Sequence, residues 1–166
     1  MTPELTLHEV RIPGFESVTV RVAAPASWAT SILEEPLCFV ARMPESEAGP
    51  FADNLVVSVE TLGEDVPEDF EELQGLIYAQ AFEAVPDLHV LDDRALEVGG
   101  KGGWFRASLQ SAPPGITAVN RQVFTRRGDL LITLSLTTMA FRDGKASELF
   151  EQAIETCTIT TGEEAV

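Results

Sequence analysis

The sequence is poor in the side chains that do most enzyme chemistry. It has two histidines, two cysteines and one tyrosine in 166 residues. No Cys/His spacing of the zinc-site kind occurs, and neither G-x-S-x-G nor H-E-x-x-H is present, which excludes those nucleophile-elbow and zinc-protease motifs. Cys38 lies in the apolar, strand-like run PLCFVAR, and Cys157 closes the apolar stripe of the last helical pattern. Both read as small buried hydrophobes, neither a disulfide nor a nucleophile. No run approaches the roughly 18 apolar residues of a membrane span. The first residues, MTPELTLHEV, have no basic region leading into an apolar one, so no secretory signal is predicted and the chain reads as cytoplasmic.

Positive charge is also scarce. There are 11 Lys and Arg against 27 Asp and Glu, a net charge of −16. An acidic chain repels nucleic acid and anionic lipid unless a local basic patch intervenes, so neither is an expected partner. The charge is uneven. Residues 1–93 carry three arginines and nineteen acids, whereas residues 94–145 carry eight basic and three acidic residues. The basic segment is expected to pair with its acidic flanks.

What is abundant is hydrophobic residues, at 45 %. That is enough for a core in one domain spanning 1–166, with 1–14 and 160–166 as peripheral segments. FESVTVRVAAPASWAT, PLCFVARMP and NLVVSVETL read as strands. The period then changes. Phe70, Leu73, Ile77, Ala81 and Ala84 recur at helical spacing, with Pro67 suited to the first turn and Pro86 to the end. Gly75 in mid-helix suggests close packing. Four further strands follow: LHVLDDRALEV, GWFRASLQS, TAVNRQVFTR and DLLITLSLTTM. Their short breaks make them antiparallel neighbours. A last helix carries Ala146, Leu149, Phe150, Ala153, Ile154 and Cys157 on one stripe, with Asp143 or Ser147 as cap. The class is α+β: a twisted antiparallel sheet of about six to seven strands with two main helices packed on it.

Gly99-Gly100-Lys101-Gly102-Gly103 suggests a phosphate loop at first sight. Such a loop needs Ser or Thr after its lysine and a helix beyond; here Gly102 follows Lys101, and the next residues alternate as a strand. The segment is a hairpin corner. In HVLDD, strand alternation puts His89 and Asp93 on one face and Asp92 on the other, the only geometry for a metal-dependent hydrolase.

One surface stands out. In GWFRASLQS, Phe105, Ala107 and Leu109 face one side, and Trp104, Arg106, Ser108 and Gln110 the other. The neighbouring strand alternates Leu130, Ile132, Leu134 and Leu136 with Leu131, Thr133, Ser135 and Thr137. Arg121 and Gln122 point opposite ways, so only one joins the mixed face; Gln122 is the candidate. This face either binds a partner or is covered by the 65–85 helix with its polar groups satisfied internally.

The segments FADNLVVSVETL, DLHVLDDRALEVGGKGGWFRASL and RQVFTRRGDLLITLSLT carry a family resemblance. Asn54 after Phe51, the Gly-Gly-x-x-Arg run ending at Arg106, Gln122 before Phe124, and Gly128-Asp129 before a threonine-rich strand all fit. Over residues 15–156 the chain resembles the PsbP-like superfamily, nearest its actinobacterial LpqN/LpqT branch. The resemblance implies an α/β/α sandwich and a largely non-enzymatic membership: a photosystem subunit, a Ran-binding import factor, and Eag chaperones of secretion effectors. It implies no catalytic residues. The LpqN-like pattern has a lipobox cysteine near the N-terminus, whereas the first cysteine here is Cys38.

The reading is a non-enzymatic binding or adaptor module, without cofactor or metal, monomeric or homodimeric. It holds a protein or peptide on Trp104, Arg106, Ser108, Gln110 and Gln122 of the sheet face or on the sheet edge. A secretion-effector chaperone is the alternative within binding, and a hydrolase using His89 and Asp93 the alternative of another class.

Overall fold

The computed structural model describes residues 2–85, 87–113 and 115–162. Two antiparallel sheets organise them. The larger contains β3 (Ala29–Glu34), β4 (Leu37–Arg42), β5 (Asn54–Thr61), β6 (His89–Val98), β7 (Lys101–Ala112), β8 (Ile116–Arg127) and β9 (Leu130–Met139). Its order is β3-β4-β5-β9-β8-β7-β6, so the four strands after the first long helix are consecutive neighbours, as their short breaks require. The smaller sheet has the order β1-β2-β10, from Leu5–Val10, Val18–Pro25 and Thr158–Thr161.

Alternation decides what each face meets. Phe39, Ala41, Leu55, Val57, Phe105, Ala107, Val123, Ile132, Leu134 and Leu136 point to one side of the large sheet. They pack against Val18, Val20 and Val22 of β2 and against Ala146, Phe150 and Ala153 of the last helix, α3 (Asp143–Thr156). The stripe read from the sequence is this buried face, and Phe150 is only 1 % exposed. The opposite side of the sheet carries Phe124 and Leu131 under Leu73 of α2 (Phe70–Ala84). A one-turn helix, α1 (Glu45–Ala48), interrupts the connection between β4 and β5.

Several local expectations shift. The smaller sheet absorbs residues 5–10, which were expected to be peripheral, and buries Val10 and Ile12. Helix α2 starts at Phe70, where the Asp69 carboxylate accepts a hydrogen bond from the Glu72 N–H; Pro67 therefore precedes the helix. The expected stop at Pro86 lies outside the described residues. Gly75 is exposed with open space around it, so close packing does not explain it. Neither Asp143 nor Ser147 caps α3. Asp143 instead lies in its first turn, where it favours the helix dipole and pairs with Arg121 at 2.7 Å. The glycine corner is a two-residue hairpin turn. Val98 pairs with Lys101, and both Gly99 and Gly100 hold positive φ. Gly103 is needed for a different reason: a Cβ there would sit 2.9 Å from the Phe124 carbonyl oxygen.

Both cysteines are free and buried, as expected of small hydrophobes. Burial pushes the Cys157 thiol up to about 11, against a smaller opposing pull from Arg127. The basic segment pairs with its acidic flank as its composition suggested: Arg94 to Asp92 at the surface, and Arg106 to Asp93 and Arg142 to Asp53 more deeply.

Candidate functional site

The mixed face has two halves, and α2 covers one of them. Register places Asp93, Arg106, Gln122, Ser135, Val56, Val40 and Ser31 in a single row across all seven strands. Gln122, rather than Arg121, therefore shares a face with Arg106; Arg121 points to α3. A second row contains Ser108, Asn120, Thr137, Asn54 and Arg42.

Arg106 lies in the covered half and is 2 % exposed. Its Nε donates to Asp93 Oδ1 at 3.0 Å and its Nη2 to Gln74 Oε1 of α2 at 3.0 Å. The guanidinium lies 4.5 Å from the Tyr78 ring centroid, a stacking that the planar arginine head favours. Trp104 is half-buried against the α2 cluster, and its indole N–H donates to the same Asp93 oxygen. These two candidates therefore meet α2 and Asp93. Ser108 is also buried, while Gln110 and Gln122 remain half-exposed.

The other half of the face opens into a groove of about 760 Å³. Its floor is Cys38, Val40, Asn54 and Val56; the α1 segment with Pro50 and Phe51 forms one wall, and Leu33, Pro36 and Pro113 complete the rim. One arginine builds the wall. Arg142, in the 3-10 turn Ala140–Arg142, donates to the Ala48 and Phe51 carbonyls and to Asp53 Oδ1, the last at 2.7 Å. Asp53 is 5 % exposed, so this is a largely desolvated pair satisfied on several sides. Sequence reading missed the groove because its wall is a loop, and no periodicity marks a loop that folds over a sheet. The Asp53–Arg142 pair, 89 positions apart, had no local signal either.

The groove's lining is mostly apolar, with Asn54, Arg42 and Glu45 as its polar side chains. Cys38 lines it but is 3 % exposed, and burial raises its thiol, which disfavours the thiolate a nucleophile needs. The hydrolase geometry fails. A bulge between Val90 and Asp92 inserts Leu91, so His89 opposes Leu109 and Asp93 opposes Arg106. His89 and Asp93 therefore lie on opposite faces, because one extra residue inverts the alternation. Among the described residues, no three His, Cys, Asp or Glu side chains are grouped to hold a metal.

No protein-family model matches the sequence, and no curated protein does. Solved structures match throughout. The cyanobacterial PsbP protein CyanoP from Synechocystis superimposes with TM-score 0.67 at 14 % identity, covering 93 % of this chain and 92 % of that one. LpqN of Mycobacterium tuberculosis, involved in cell envelope biogenesis, gives TM-score 0.67 at 16 % identity, covering 95 % and 91 %. The fold is PsbP-like. The Ran-binding protein Mog1p of Saccharomyces cerevisiae shares it with TM-score 0.61 at 10 % identity, covering 93 % and 95 %. The resemblance read from the sequence thus holds at the level of architecture. No helix among the described residues is long and apolar enough to cross a membrane.

Proposed function

We propose that this chain of PsbP-like fold is a non-enzymatic binding or adaptor module, and that its partner is a protein or peptide held in the groove over β4 and β5. The observation that carries this reading is the groove itself: an open, apolar-floored depression of about 760 Å³ on a sheet face that a helix elsewhere covers. Apolar floors with a few convergent polar groups are the usual character of binding sites. Gln122 and Gln110 lie on the same face and are assigned to the partner's margin; Trp104 and Arg106 act from beneath, by fixing α2 against the sheet, and Ser108 is buried on that face. Protein binding in the neighbouring fold of Mog1p, a Ran-binding protein, supports the class of function. The buried free thiols Cys38 and Cys157 are consistent with a reducing compartment such as the cytoplasm.

The test places a charge in the groove. Val56→Arg is expected to keep the melting temperature within a few degrees and to abolish recovery of partners from the native host. Glu83→Arg, on the exposed side of α2, is expected to leave recovery intact. Equal recovery with both variants would exclude the groove.

A further inference from the structure

The two edges of the large sheet are built differently. At the β6 edge the strand is broken by the bulge at Leu91 and carries Asp92, Asp93, Arg94 and Glu97. These are the usual devices that stop another strand from adding. The β3 edge has no bulge, and Glu34 at its end is its one charge. Its six residues, Ala-Thr-Ser-Ile-Leu-Glu, hold no Pro, Gly or basic residue, and they pair with β4 in unbroken register from Ala29–Arg42 to Glu34–Leu37. All six are exposed, including Ile32 at 41 % and Leu33 at 43 %. Among the described residues no strand pairs with its outer side. Its row of backbone donors and acceptors is therefore open, about 20 Å long at strand rise.

We propose that β3 is a docking edge: an extended segment of a basic partner protein adds to it as an eighth strand. This rests on the reading of the groove as a binding site and says how its occupant enters. Leu33 pairs with Cys38, and Ser31 with Val40, so these side chains share the groove's face. An added strand puts every second side chain on the groove's face, beside Ser31 and Leu33 at its rim, and the alternate ones on the Ile32 side. Backbone bonds supply affinity, and the groove selects side chains. Charge sets the partner's sign. Glu34 ends the strand, Glu35 follows it in the turn, and Glu45 lies in the groove lining. Of the three arginines in residues 1–93, Arg11 and Arg21 are both engaged with Glu9. Arg42 is the one basic side chain in the lining; its neighbour across β3 is Ala29, at the far end from Glu34. The partner's lysines or arginines therefore belong at the Glu34 end. A second copy is a poor occupant, because self-pairing brings together two chains of net charge −16.

The probe is a capped peptide of alternating valine and lysine, read by fluorescence anisotropy at physiological ionic strength and by amide exchange of residues 29–34. It is expected to bind and to slow that exchange. Alternating valine and glutamate, backbone N-methylation along the probe edge that faces β3, and Ile32→Lys are each expected to weaken binding about tenfold or more, the methylated probe through the loss of one or two hydrogen bonds and the other two through like-charge repulsion. Ser31→Lys serves as the second edge variant should Ile32→Lys alter the melting curve. N-methylated probes that bind as well as the parent, with residues 29–34 unprotected, would overturn strand addition. If Val56→Arg still abolished that binding, the groove reading would survive while the edge reading fell. Equal binding of the glutamate probe would overturn the basic partner. So would a concentration-dependent dimer dissolved by Ile32→Lys, which would make the occupant a second copy.

Discussion

Arg106 shows how far a single residue can be read. Period-two alternation puts it correctly with Trp104, Ser108 and Gln110, and register then selects Gln122 over Arg121. What alternation cannot say is whether a helix lies on top. Here Gln74 and Tyr78 of α2 close over the guanidinium, and Asp93 holds it from the neighbouring strand. Removing the side chain leaves Asp93 without its cation and Tyr78 without its stacking partner. Arg106→Ala is expected to cost roughly 2–4 kcal/mol, toward the low end for a buried pair because Asp93 keeps 30 % of its side-chain surface in water. Chemical denaturation measures this. A loss below about 0.5 kcal/mol, the scale of an ordinary surface change, would mean that α2 does not depend on Arg106. Leu91 shows the converse. A bulge has no composition signature in HVLDD, and one inserted residue moves Asp93 from the face of His89 to that of Arg106.

Elements were legible where burial is one-sided. The α3 stripe and much of β9 bury one face, so hydrophobic period reports them directly, and β7 and β8 keep enough of the same alternation to be read although α2 also covers part of their other face. β3 has no such signal because all six of its residues are exposed, and β10 has only four residues. β1 pairs along the whole of Leu5–Val10 but buries only its last residue, so it too shows no clean alternation. The α1 segment owes its place to Arg142 instead of to its own sequence: its four-residue helix has no side-chain cap, and its carbonyl at Ala48 is met from the 3-10 turn. Arg142→Ala removes the bonds to Ala48, Phe51 and Asp53 together. The expected result is a loss of roughly 3 kcal/mol with an uncompensated Asp53 carboxylate. Amide exchange in residues 45–52 should rise more than in β7 or β8. Uniform acceleration across the chain would show that the arginine supports the whole fold and not the groove wall in particular.

At the scale of the molecule, charge decides the response to salt. Two effects oppose each other. Screening weakens the ion pairs that hold Arg106, Arg121 and Arg142, which lowers stability. Screening also weakens repulsion among the surplus carboxylates behind the net charge of −16, which raises stability. Burial separates the two. The side chains of Arg106, Arg121 and Arg142 are 2 %, 17 % and 19 % exposed, so mobile ions reach these pairs poorly. Glu64, Asp65, Glu68, Asp69, Glu71 and Glu72, by contrast, crowd the approach to α2 and its first turn, and all six are exposed. Exposed charges are screened over a Debye length of about 10 Å at 0.1 M salt, a distance that spans such a cluster. The repulsive term therefore falls more than the attractive one. The melting temperature is expected to rise as sodium chloride goes from about 0.01 M to about 0.15 M, most of the gain coming below 0.1 M, where the Debye length shrinks fastest. Sucrose at equal osmolality is the control, since exclusion from the surface stabilises without screening. A melting temperature that falls over the same range would show that the arginine pairs outweigh the acidic surplus.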